Sequence, residues 1–249
     1  MEVTKNSRLT ESVHLLHLRP EDNRTLPAMY PGQFVNVYID SANVFLRRPI
    51  SICNFDISRN EIQLIVKNVG KGSYQLCDAR VGDIFNCLLP LGNSFRLPDA
   101  IYKKVLLIGG GVGTAPLYFL SRWFNTLGIT VNFLIGARSE NELIFIEKLR
   151  DQGTVNICTD DGSFGVKGYV TAHPVFSQKW DDFYVCGPSP MMKLVARSAS
   201  ERNIRCQVSL ENRMACGLGA CLCCVEDTID GNKCVCTSGP VFNIKDLKW

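Results

Sequence analysis

A strand-rich N-terminal part, an alternating middle and a thiol-dense tail predict a multidomain β plus α/β chain. The expected parts are an antiparallel β-barrel or sandwich, a parallel-sheet α/β domain and a small metal-held C-terminal domain. Three observations carry this. Short apolar segments separated by turn formers run through residues 1–99. Strand and helix patterns alternate from 100 to 210, with a glycine-rich turn after the first strand. Of 12 cysteines in the 249-residue chain, six lie between Cys216 and Cys236. The region from 211 to 249 is too short for an ordinary core, so a metal centre would supply what burial cannot.

In the first part the strand candidates are Ser12–Leu18, Gln33–Ile39, Arg48–Asn54, Glu61–Val69 and Ile84–Leu89, rich in Val, Ile, Leu and Phe. Pro31–Gly32, Ser58–Arg59–Asn60, Gly70–Lys71–Gly72 and Val81–Gly82–Asp83 separate them. A short helix is expected over Ser73–Ala79. In the middle, Lys104–Ile108 is an apolar run suited to a strand buried on both faces. A helix over Ala115–Leu127 follows, then strand Thr130–Ile135, helix Asn141–Gln152 and strand Val155–Thr159. Strand Phe183–Cys186, helix Pro190–Asn203 and strand Cys206–Leu210 complete the series. Such alternation means βαβ units.

Composition narrows the function classes. Twenty-seven Lys and Arg against 24 Asp and Glu leave a net charge of +3 with no basic block, which argues against a nucleic-acid binder. Hydrophobic residues make up 46% of the chain, so disorder is not expected. No apolar run is long enough to span a membrane. Met1–Glu2–Val3–Thr4–Lys5 lacks the layout of a signal peptide, so a cytoplasmic chain is expected. There, clustered thiols point to metal ligation or redox chemistry rather than disulfides.

Four motifs carry chemistry. Ile108–Gly109–Gly110–Gly111–Val112–Gly113–Thr114–Ala115–Pro116 follows a strand and opens a helix. Its glycines permit close approach to a diphosphate, which the free N–H groups and positive end of the helix would attract. Pro116 stands where the usual third glycine would be, and a turn with only a packing role is the alternative. Cys186–Gly187–Pro188 ends another parallel strand, where open α/β sheets bind ligands. Arg47–Arg48–Pro49–Ile50–Ser51 offers an arginine suited to phosphate with a hydroxyl nearby, against the alternative of a solvated edge pair. Cys216–x4–Cys221–x2–Cys224 has the spacing of plant-type [2Fe–2S] sites, and Cys236 supplies a fourth thiol. Cys223 and Cys234 compete by position, although Cys223 is adjacent to Cys224. Zinc is the alternative metal. His14, His17 and His173 make no site, and no nucleophile triad is visible.

Together these motifs resemble the electron transfer subunits of NAD-linked dihydroorotate dehydrogenase B, within the ferredoxin–NADP reductase superfamily. The most specific stretches are Glu211–Asn212–Arg213–Met214–Ala215–Cys216–Gly217–Leu218–Gly219–Ala220–Cys221 and Cys236–Thr237–Ser238–Gly239–Pro240–Val241–Phe242. The resemblance implies a flavin-binding barrel over 1–99, an NAD-binding α/β domain over 100–210 and a [2Fe–2S] domain over 211–249. Arg48, Pro49, Ile50 and Ser51 would hold FAD, followed by Lys67, Gly72 and Ser73. Gly109, Gly110, Gly111, Gly113 and Thr114 would face the NAD diphosphate. Gly136–Ala137–Arg138, Asp160–Asp161 and Cys186, Gly187 and Pro188 would complete that side. Cys216, Cys221, Cys224 and Cys236 would ligate the cluster, and Glu211 could sit near the flavin. Ser238 departs from the family, which often has an acidic residue there.

The implied activity is a relay. A separate FMN-containing catalytic subunit would oxidise dihydroorotate, and electrons would pass through the [2Fe–2S] cluster and FAD to NAD⁺. Two copies of each subunit would form a heterotetramer. Alone, the chain would act as an NADH diaphorase. The alternatives are a self-standing or bifurcating NAD(P)H flavoprotein reductase subunit, acting with ferredoxin or sulfur compounds, and a zinc-binding adaptor.

Overall fold

The computed structural model describes residues 1–22, 24–41, 44–100 and 103–249. Six strands form the first sheet: β1 (Glu2–Arg8), β2 (Val13–Arg19), β3 (Phe34–Val37), β4 (Arg48–Asp56), β5 (Glu61–Lys67) and, after helix α1 (Lys71–Cys77), β6 (Cys87–Leu91). Their order is β1-β2-β5-β4-β3-β6, and every pairing is antiparallel. The free edge of β1 meets the segment entering β6. Val3 N–H donates to Asp83 C=O at 2.9 Å, Phe85 N–H donates to Met1 C=O at 2.8 Å, and Glu2 bridges Ile84. The sheet thereby closes as a barrel at this end of β1. Leu16, Leu18, Val35, Val37, Ile52, Ile62 and Leu64 fill its interior.

The second sheet is built by β7 (Val105–Gly110), helix α2 (Thr114–Thr126), β8 (Val131–Ala137), helix α3 (Ile146–Arg150), β9 (Thr154–Thr159), β10 (Val166–Lys167), β11 (Asp182–Cys186), helix α4 (Ser189–Glu201) and β12 (Arg205–Ser209). The tail adds the hairpin β13 (Val225–Thr228) and β14 (Gly231–Cys234), helix α5 (Val235–Ser238) and β15 (Val241–Asn243). The order is β10-β9-β8-β7-β11-β12-β15, all parallel except β15. Residues Val105–Ile108 are wholly buried, as a strand covered on both faces requires. Strand order reverses between β7 and β11, so a crevice opens at their C-terminal ends. Helix α2 packs on β7 and also on β4 of the barrel, where Arg122 donates to the side-chain oxygen of buried Asn54.

The expected fold class is the one observed, with local differences. The helix expected over Asn141–Gln152 is a single turn at Glu140–Glu142 followed by the short α3. Ile144 and Phe145 both turn into the core, and Phe145 adopts φ 61°. That left-handed backbone cannot continue a right-handed helix, so the helix breaks there. The strand expected at Ile84 begins at Cys87, because residues 82–85 close the barrel against β1.

Candidate functional site

The two glycine-containing loops meet at the crevice. Cys186 stands in register with Gly109 across the β11–β7 pair. A Cβ on Gly113 would collide with the Cys186 carbonyl, and one on Gly110 would lie 2.7 Å from Pro188 Cδ. These glycines therefore have a packing role: they let the loops touch. Gly111 differs, because it adopts φ +55° and a Cβ there would meet nothing within 4 Å. It is the loop's open point above the first turn of α2. Thr114 is fully buried, and its hydroxyl donates to Gly111 C=O at 2.8 Å. That hydroxyl braces the loop, leaving the backbone to face a ligand.

Below this crevice, Cys186 is paired in register with Ser209, whose hydroxyl contacts the thiol. Burial, with the nearby Glu211 carboxylate, pushes the thiol up to about 12, against the opposing pull of Ser209. Cys186 is therefore a neutral thiol at physiological pH. Ser209 was not among the sequence candidates. Its position opposite Cys186 depends on strand register, which spacing does not reveal.

On the barrel, the Arg48 guanidinium lies over Gly72 at the start of α1; a Cβ there would run into it. The Arg48 motif and the Gly72–Ser73 turn are thus brought together. Arg48 also donates to Leu46 C=O at 2.7 Å. Arg47 points elsewhere, donating to Asn86 Oδ1 at 2.7 Å and lying against Tyr38. The Ser73 hydroxyl is buried and works as a helix cap: it accepts from Val69 and Gly70 N–H at 2.9 and 3.1 Å. Lys67 lies at the end of β5, 3.9 Å from Glu142 of the α/β domain. Pro49 and Ser51 pair with Asn36 and Phe34 of β3 and share a strand face with them, and Ile50 packs toward the barrel core.

The tail gathers the thiols. Cys221 contacts Cys216, and Cys224 contacts Cys236. The loop between them aims N–H groups at sulfur. Leu218 N–H donates to Cys216 Sγ at 3.3 Å, Gly219 N–H to Cys236 Sγ at 3.2 Å and Cys236 N–H to Cys224 Sγ at 3.4 Å. Each donor favours thiolate: the N–H of Leu218, first among them, draws Cys216 down to about 6, whereas burial outweighs the Gly219 N–H and pushes the metal-free Cys236 thiol up to about 12. Cys234 approaches Cys224 but receives none of those three N–H bonds, and Cys223 is exposed. All of these cysteines are free. Among the described residues, no three His, Cys, Asp or Glu side chains surround one ion-sized point. The two thiol pairs fit a two-iron cluster, each pair taking one iron, with backbone N–H groups bonding its sulfurs.

Two asparagines that the sequence alone does not single out tie this tail to the barrel. Asn36 Nδ2 donates to Ala215 and Cys216 C=O at 3.3 and 3.4 Å. Asn93 Nδ2 donates to Ser238 and Val241 C=O at 2.9 and 2.8 Å, and its Oδ1 accepts from Val241 N–H at 2.9 Å. The one sequence signal for either is the lone amide inside the apolar run Phe34–Val37.

Comparison with known proteins agrees with this geometry. Residues 1–95 match an oxidoreductase FAD-binding domain, and residues 211–248 match the iron–sulfur cluster binding domain of dihydroorotate dehydrogenase B. The chain is 41% identical over 226 residues to the electron transfer subunit of dihydroorotate dehydrogenase B (NAD(+)) from Shouchella clausii, covering 87% of this chain and 86% of the relative. It is 35% identical to the corresponding subunit of Listeria monocytogenes, covering 100% and 98%. Among solved structures, the NADH-dependent reduced ferredoxin–NADP oxidoreductase studied for flavin-based electron bifurcation superposes with a TM-score of 0.87 at 28% identity, over 100% of this chain and 89% of that one. Phthalate dioxygenase reductase superposes at 0.65 with 22% identity, over 80% and 63%, a likeness of fold alone. Thiol array, flavin-type barrel and full-length relatives agree, and the chain belongs to the family of dihydroorotate dehydrogenase B electron transfer subunits.

Proposed function

We propose that the chain relays electrons between an FMN-containing catalytic subunit, which oxidises dihydroorotate to orotate, and NAD⁺. The observation that carries this is the placement of three sites in one chain: the β7–β11 crevice, the Arg48–Gly72 junction and the thiol loop. FAD, when bound, exchanges two electrons with a nicotinamide and single electrons with an iron–sulfur cluster. Arg48, Gly72 and the Ser73 backbone would hold the FAD phosphates, with Pro49, Ile50 and Ser51 along the isoalloxazine. Gly109 to Thr114 and Cys186 to Pro188 would bind the NAD diphosphate and orient the nicotinamide. The neutral Cys186 would pack against that ring without adding charge. Cys216, Cys221, Cys224 and Cys236 would ligate the cluster.

The domains would run 1–99, 100–210 and 211–249, with β15 of the last completing the sheet of the second. Asp161 accepts from Ser163 N–H and hydroxyl at 2.9 and 2.7 Å, which leaves the exposed Asp160 to bond a ribose hydroxyl of NAD. No described helix is long and apolar enough to cross a membrane. The assembly would be a cytoplasmic heterotetramer.

A bifurcating reductase subunit is the second reading, favoured by the structural superposition at 28% identity. The higher identity of full-length curated relatives favours the dihydroorotate reading. Cys221→Ser separates the steps. Dihydroorotate-dependent reduction of NAD⁺ in the reconstituted complex should stop, while NADH should still bleach the flavin. Retained orotate formation with NAD⁺ in that variant would overturn the relay.

A further inference from the structure

We infer that Asn36 is a positioning residue for one-electron transfer between flavin and cluster. The inference rests on the relay function proposed for the chain. Asn36 lies in β3 and is fully buried. Its neighbours Val35 and Val37 point into the barrel core, so Asn36 faces outward with Phe34. On that face it stands opposite Pro49, and Phe34 opposite Ser51. These β4 residues belong to the segment assigned to the isoalloxazine.

The same side chain touches the cluster loop. Its Nδ2 donates to the carbonyls of Ala215 and Cys216, the residue before the first ligand and the ligand itself. Gly217 comes so close that a Cβ would stand 2.8 Å from Nδ2. Gly217 also adopts φ +73°, which disfavours any side chain at that position. One amide thus joins the flavin strand to the first cluster ligand.

Its oxygen strengthens the case. Asn36 Oδ1 is buried and has no hydrogen-bond partner among the described residues. A residue needed only to fill space would be apolar, because an unmet buried acceptor is costly. The amide is explained by what Nδ2 does: it fixes the Cys216 carbonyl and so the gap to the flavin. With both groups bound, Asn36 would hold the Cys216 loop at the distance over which a flavin reduced by the nicotinamide hydride would pass single electrons to an oxidised cluster. A loosened loop slows that step, because short, fixed geometry governs it.

The test uses Asn36→Leu in the full chain loaded with FAD and cluster. Three quantities are read: NADH reduction of flavin by stopped flow, the following flavin-to-cluster transfer, and the low-temperature EPR spectrum and midpoint potential of the cluster. The expected result is an unchanged first phase, a second phase slowed about tenfold or more, and a broadened or shifted EPR spectrum. Loss of cluster with flavin retained also supports the assignment, since the seat of the ligand loop is then gone. Full cofactor content with an unchanged transfer rate and EPR spectrum overturns it. Should Asn36→Leu fail to fold, Asn36→Ala, which lacks the donor and crowds nothing, takes its place, and the same results support or overturn the assignment. Absence of a cluster signal in the unmutated protein would defeat the relay itself, an outcome distinct from any variant effect.

Discussion

Where two loops touch through glycine, a single methyl group decides whether they can. Gly113 faces the Cys186 carbonyl with no room for a Cβ. Backbone cannot yield as a flexible side chain does, so Gly113→Ala should push the β7 and β11 loops apart. The expected result is a rise of about tenfold or more in KM for NADH in dye reduction, equivalent to ~1.4 kcal/mol of binding. Flavin content should remain full, because FAD would be held on the barrel; an unchanged KM would refute the argument. His173 carries a pH prediction of a different kind. Its Nδ1 accepts from Val175 N–H at 3.0 Å, and burial holds its pKa below the ordinary 6.5. A protonated Nδ1 cannot accept, so the fold prefers the neutral ring. A lowered folded pKa means that this stability is complete above the unfolded value and is lost as pH falls through the folded one. Urea midpoints should therefore drop from pH 7.5 to pH 5 by more in the native chain than in His173→Asn, whose amide can still cap Val175. Equal drops would show that His173 contributes nothing.

At the scale of elements, β15 is the one whose role depends least on its own residues. Three residues long, it pairs antiparallel with β12 and is held from the other side by Asn93 of the barrel. Asn93→Ala removes three hydrogen bonds and leaves Val241 N–H and two carbonyls without those partners. The exposed Ser238 carbonyl can turn to water, whereas Val241 is buried; an unmet buried group costs about 1–3 kcal/mol, so a loss of about 2 kcal/mol overall is expected. In a chain of this size that lowers Tm by roughly 4–8 °C. Calorimetry alongside loss of visible absorbance should show the cluster released earlier; an unchanged Tm would remove Asn93 from the account. Elements with a repeating apolar pattern are legible in the sequence. Lys104–Ile108 and Ala115–Leu127 fall within about a residue or two of β7 and α2, the usual play at element ends. β1 is not legible: of its seven residues only Val3 is buried, so no alternation exists to read. The helix expected at 141–152 misleads for the opposite reason. Its apolar residues are dense enough to suggest a helix, but Phe145 adopts φ 61° and interrupts it, which the pattern does not show.

Across the whole molecule, the site's ingredients are legible in the sequence and its assembly is not. Cysteine spacing announces a cluster, and glycine after a strand announces a nucleotide, because those chemistries constrain local sequence. That Asn36 and Asn93 of the barrel seat the tail, or that Ser209 meets Cys186, depends on contacts across more than 20 residues of chain. Those partners have no local signature. The assembled molecule leads to a prediction about metal removal. The barrel and the parallel sheet each have a large hydrophobic core. The segment 211–239 contributes Met214, Cys224, Val235 and Cys236 to a core, with Cys234 packed against it, and its regular structure is one two-stranded hairpin and one turn of helix. Such a hairpin is marginal by itself, so the thiol loop depends on its metal. Anaerobic removal of iron by a chelator should leave the amides of β7, β8, β11 and β12 protected in hydrogen exchange. The amides of Leu218, Gly219 and Cys236, which bond sulfur in the assembled loop, should exchange about 100-fold faster or more, as expected for a segment that opens locally. Flavin bleaching by NADH should survive the treatment. Persistent protection of those three amides without iron would mean that Asn36, Asn93 and β15 suffice to hold the loop, and that the cluster is a passenger in a site the polypeptide shapes unaided.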